Sequence, residues 1–87
     1  MTTNSKSTTI KLREPITVDG TQRESLTLRR PKVRDLLAAE KSELVESPAL
    51  RELKLFANLC EVPPAALEEL DAADYVKLQE AYTGFLS

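Results

Sequence analysis

Between Thr9 and Arg30 every aliphatic side chain stands on an even-numbered position: Ile10, Leu12, Ile16, Val18, Leu26 and Leu28. In an extended chain, alternation of period two puts residues of one parity on one face, so this stretch reads as two strands sharing a buried side. Asp19-Gly20 between them is a turn signal, because glycine accepts the positive φ that a tight hairpin needs. Parity sharpens the expectation. A two-residue Asp19-Gly20 loop pairs Val18 with Thr21, which sets the even face of one strand beside the odd face of the other. Keeping all six aliphatics together requires either an odd connection such as Asp19-Gly20-Thr21 or a bulge that resets the phase. Pro15 cannot donate to a ladder, so the first strand is expected to be interrupted there and to lie at a sheet edge. Two strands alone are marginal in water, so the hairpin must lean on the elements that follow.

Beyond Arg30 the apolar spacing changes to three and four, the period of helices. Pro31 is expected to open a first helix reaching about Val45, with Val33, Leu36, Leu37 and Leu44 and the small Ala38 and Ala39 giving an incomplete apolar stripe. Ser47-Pro48 is a strong restart, a serine cap followed by a first-turn proline. Leu50, Leu53, Phe56, Ala57 and Cys60 then recur at helical steps, and Leu55 and Leu59 widen the stripe, as befits the central helix of a small bundle. Pro64 begins a short helix to Leu70. Asp71 caps a terminal helix from Ala72 to about Phe85, where Asp74 adds negative charge at the positive end of the macrodipole. The fold class read from these periods is α+β: an N-terminal β-hairpin packed against about four helices.

At 87 residues the chain is one small domain. Residues 1–8 are polar and read as a disordered leader, and residues 9–87 as the domain. Phe56, Tyr75, Tyr82 and Phe85 are the only aromatics, so the core is thin and a partner or a second copy would help to complete it. There is no histidine, the side chain that most often moves protons near neutral pH or binds transition metals. Cys60 is the single cysteine, read as a small buried hydrophobe rather than a nucleophile, which fits a cytosolic redox setting. No apolar run approaches the ~20 residues of a membrane span, and residues 1–7 lack a signal-peptide pattern, so a cytoplasmic protein is expected. Gly20 and Gly84 are too few and too far apart for a phosphate-cradling loop. Neighbouring carboxylates, Glu68-Glu69 and Asp71/Asp74, read as solvated or capping groups rather than as acid–base or metal sites. No catalytic, metal-binding or cofactor-binding residue is assigned, and no small-molecule substrate is expected.

Charge is divided along the chain. Residues 1–34 hold eight basic and three acidic side chains, and residues 35–87 four basic and eleven acidic, so the balances are +5 and −7. Arg29, Arg30, Lys32 and Arg34 form the densest basic cluster, which can meet phosphates and supports a second reading, a small DNA-binding regulator. Against that reading, Asp35 follows at once, Leu36 and Leu37 turn the helix inward, and the remainder is acidic, so solvated surface is favoured. The line Tyr75, Leu78, Tyr82 and Phe85 also has two readings. Core is the safer one for any single member; as a set they are the candidate partner-binding residues, since tyrosine hydroxyls favour the rim of a core or an interface.

In chain order, the hairpin Ile10 to Leu28, the passage Leu26-Thr27-Leu28-Arg29-Arg30-Pro31, Asp35-Leu36 with Ala39-Glu40-Lys41, and the segment Val62-Pro63-Pro64 through Leu70-Asp71-Ala72-Ala73-Asp74 to Leu78-Gln79 follow one pattern. It resembles the small tail assembly chaperones of Mu-like and related contractile-tailed phages. The likeness runs from Thr9 to Leu86, and the Pro-Pro to Asp-Ala-Ala-Asp segment is its most specific part. The chain departs from the pattern at Arg30 and Arg34, where relatives have an acidic and a small residue, so the basic cluster stands outside the likeness. The resemblance implies a non-enzymatic assembly factor of the host cytoplasm, absent from the mature virion, that binds the tape-measure protein and helps recruit tail-tube subunits. It brings no catalytic motif. Small homo-oligomers, whose weak copies act together along one rod, would suit that role.

Overall fold

A computed structural model describes residues 7–40 and 47–87. Two strands, β1 (Ser7–Val18) and β2 (Thr21–Arg29), are followed by four helices: α1 (Val33–Glu40), α2 (Pro48–Cys60), α3 (Pro64–Leu67) and α4 (Ala72–Phe85). The architecture is the expected α+β hairpin on helices. Of the anticipated leader, residues 1–6 lie outside the described residues, whereas Ser7 and Thr8 already belong to β1.

The hairpin solves its parity problem with the bulge. Asp19 (φ 51°) and Gly20 (φ 80°) make a two-residue turn with both central residues left-handed, and Val18 pairs with Thr21. Ile16 therefore faces Arg23, while Ile10 faces Leu26. Between Lys11↔Ser25 and Ile16↔Arg23, residues 12–15 stand opposite Glu24 alone, an excess of three. An odd excess exchanges the two faces, so Ile10, Leu12, Ile16, Val18, Leu26 and Leu28 are all buried together. Pro15 sits inside this excursion, where no ladder bond is asked of it.

Helix α2 is central, touching α1, α3 and β2, and it buries Leu55, Phe56, Ala57, Leu59 and Cys60. Ser47 Oγ accepts from the Leu50 N–H at 3.2 Å, the expected cap. The other end closes without glycine. Glu61 adopts φ 58°, its N–H donates to the Asn58 carbonyl, and the Val62 N–H donates to the Ala57 carbonyl at 3.0 Å. That is a Schellman closure with a glutamate in the left-handed position, and the buried Val62 supplies its apolar contact.

Two helix boundaries differ from the sequence expectation. Helix α1 starts at Val33 rather than Pro31, because the Lys32 carbonyl takes the first helical bonds while its N–H donates to the Asp35 carboxylate. Leu44 and Val45, expected near the end of the first helix, lie outside the described residues. Helix α3 ends at Leu67, three residues early: Glu69 and Leu70 bond back only three residues, and Asp71 must be extended (ψ 140°) to cap α4.

Candidate functional site

Two buried aspartates fix the frame on which the surface is built, and each is the third residue of its helix. Asp74 of α4 is fully buried. Its carboxylate accepts the Arg13 N–H at 2.8 and 3.0 Å and the Glu14 N–H at 3.1 Å. Pro15 has no N–H, so Asp74 receives every backbone N–H that residues 13–15 of the excursion can offer. Lys77 Nζ stands 3.4 Å from Asp74 and donates to the Lys11 carbonyl at 2.9 Å. Burial pushes the Asp74 carboxyl up, and the Arg13 and Glu14 N–H groups with Lys77 more than reverse this, leaving its pKa below the ordinary value. From the sequence Asp74 reads as a capping and helix-dipole acid; its tie to β1 is invisible there because the residues lie 61 apart in the chain.

Asp35 of α1 is 4 % exposed. Arg29 grips it with two bonds of 2.8 Å, the Lys32 N–H donates at 2.8 Å, and Asn58 Nδ2 donates from α2 at 3.2 Å. The Arg29 hydrogen bond holds the Asp35 pKa down to about 2 against its burial, with the Lys32 N–H assisting, and Arg29 itself is raised by the same bond. One carboxylate thus joins the end of β2, the start of α1 and the last turn of α2. The neighbouring Arg30 lies over the Phe85 ring at 5.8 Å and donates to the Phe85 carbonyl at 3.4 Å, at the C-terminus of α4. Arg29 and Arg30 are therefore both engaged by partners within the domain, although Arg30 remains exposed, and Lys32 and Arg34 are exposed beside it.

The N-terminal half of α2 runs between two apolar grooves, each of about 480 Å³. The first lies between α1 and α2 and is lined by Leu36, Leu37, Pro48, Leu55 and Tyr82. Helix α1 buries only Asp35; Val33 is 70 % and Leu37 57 % exposed. The second lies between α2, α3 and α4 and is lined by Leu53, Leu67, Leu70, Tyr75 and Val76, with Glu52 and Glu68 as its only charged groups among the described residues. Glu52 borders both grooves, accepting from the Tyr75 hydroxyl at 2.8 Å and from Gln79 at 3.0 Å. Burial and then this bond raise the Tyr75 pKa.

The candidate line on α4 divides. Leu78 and Phe85 are buried in the core, whereas Tyr75 and Tyr82 are half-buried, tilted against the two sides of Phe56 at centroid distances of 5.6 and 5.4 Å. Each tyrosine lines one groove. The exposed partners of the grooves, Leu37 and Val76, were not among the candidates. For Leu37 the signal is the incomplete stripe of the first helix, whose leucines lack enough neighbours to cover them; Val76 of α4 carries no such signal. Cys60 is buried and its thiol is pushed up to about 12 by desolvation. Among the described residues no group of three or more Cys, Asp or Glu converges on a metal position, and no helix is long and apolar enough to cross a membrane.

No curated protein and no solved structure matches this chain. A family model does, over residues 9–87, and its description is phage tail assembly chaperone proteins, E, or 41 or 14. The match takes in the hairpin with its bulge, the buried aspartates and both grooves, and the chain belongs to the phage tail assembly chaperone family.

Proposed function

We propose that this chaperone holds an amphipathic helix of the tape-measure protein in the groove between α1 and α2, and that it helps tail-tube subunits to assemble around the held rod. The observation that carries this is the open face of α1: a helix that buries one charged residue and turns Leu36 and Leu37 toward a groove floored by Leu55 and Tyr82. A long helix with an apolar stripe is satisfied by such a groove at low cost in ordering, since the receiving wall is already formed. Contacts of this size are individually weak, so copies spaced along a rod bind together yet give way one at a time to tube subunits. The work is non-enzymatic and belongs to the host cytoplasm before the virion is complete. In this reading Tyr82 and Tyr75, the half-buried members of the α4 line, touch the partner, and the buried Leu78 and Phe85 support them from the core.

The test is co-purification with tape-measure fragments in mild salt, comparing the native chain with Leu37→Asp. Leu37 is exposed, so the variant is expected to fold as before and to lose about tenfold or more in affinity, as burial of a new charge in an apolar contact dictates. Absence of association for the native chain would overturn the reading.

A further inference from the structure

The second groove and the exposed end of the basic cluster are complementary surfaces of the same chain. At the entry to α1, Lys32, Val33 and Arg34 are all exposed, and Val33 is the most exposed large aliphatic residue described. The one acid beside them, Asp35, is buried and already engaged by Arg29, so this corner presents positive charge around an apolar tip. In the groove between α2, α3 and α4, Val76 is 47 % exposed beside Leu70 and Tyr75. Among the described residues no basic side chain lines it, Glu68 stands on its rim, and the acids Glu69 and Asp71 are exposed close by in the chain. The charge division along the sequence is therefore also a division between two apolar surfaces.

We infer that the occupant of this groove is a second copy of the chain, which inserts its Lys32-Val33-Arg34 corner against Leu70, Tyr75 and Val76 with Arg34 facing Glu68. Apolar contact gives the affinity and the opposite charges give register and exclude the reversed docking, in which like charges would meet. Corner and groove are different patches, so every copy carries one of each and the contact can repeat along a row.

The measurement is sedimentation velocity of the full chain over a concentration series, at low and at high salt. A mass rising with concentration, and falling back at high salt, is expected. Arg34→Glu and Glu68→Lys should each move the association midpoint upward by about tenfold. The double variant Arg34→Glu/Glu68→Lys, or a mixture of the two single variants, should restore it. Both positions are exposed, and unchanged thermal melting of each variant verifies that the fold is intact. A native chain that stays monomeric at every concentration overturns the inference, as does an oligomer indifferent to the charge swap. A groove that takes only a basic helical peptide of another protein overturns it too. Because the tape-measure contact is placed in the other groove, a strictly monomeric protein that still holds tape-measure fragments would sink this inference and leave that reading standing.

Discussion

Asp74 and Asp35 stand at the same place in two different helices, and each uses it to bind a strand of the hairpin. Removing Asp74 takes the carboxylate from the Arg13 and Glu14 N–H groups and leaves a fully buried position empty. Asp74→Ala should therefore cost about 2 kcal/mol, as expected for the loss of partly buried hydrogen bonds to a charged group, seen as a lower urea midpoint at unchanged slope. Asp74→Asn should lose a smaller part of that energy: one amide oxygen can accept both N–H groups, as Oδ2 does at 3.0 and 3.1 Å, but the charge that strengthens those bonds and pairs with Lys77 is gone. Glu61 points the other way. A side chain in the left-handed region is strained by about 1 kcal/mol, so Glu61→Gly should raise stability by up to about that amount, less the entropy of a freer unfolded chain. Neither residue is conspicuous in the sequence. Asp74 looks like one more helix-start acid and Glu61 like one more surface charge, because a side chain's burial and a residue's φ depend on what arrives from elsewhere.

Among elements, β1 is the most exacting and α1 the least secured. The three-residue excess between Lys11 and Ile16 must stay odd, so deleting Glu14 alone turns Ile16 and Val18 away from Leu26 and Leu28. That deletion should abolish cooperative unfolding, while deleting Arg13 and Glu14 together, which restores an odd count, should leave a destabilised but cooperative domain; a thermal melt of the two separates these outcomes. Helix α1 meets only α2 with more than marginal contact and leaves its leucines open. Its amides should exchange with solvent faster than those of α2 and α4 in native-state hydrogen exchange, and a bound partner should slow them. The parity of six aliphatics required some phase correction from the outset. Which of the two corrections the chain uses was fixed only by Asp74, which makes a bulge at Arg13 and Glu14 affordable in hydrogen bonds.

For the molecule as a whole, both frame carboxylates are held below their ordinary pKa, Asp35 at about 2. A folded pKa lower than the unfolded value of about 3.8 means that the stabilisation is complete above roughly pH 4 and is lost as pH falls toward 2. With no histidine to titrate, denaturant midpoints should be level from pH 5 to 8 and fall on acidification, and Asp35→Asn should flatten that fall. The sequence by itself determined the order of elements, the shared face of the hairpin, the central place of α2 and the apolar spacing along α4, because periodicity and caps are local and each is written within a few neighbouring residues. Tertiary structure alone decided that Arg29 and Arg30 find partners within the domain, that Asp74 clasps a bulge 61 residues away, and that open grooves flank α2. Those are outcomes of which surfaces meet and which are left over, and that is settled only when distant segments compete for the same few partners.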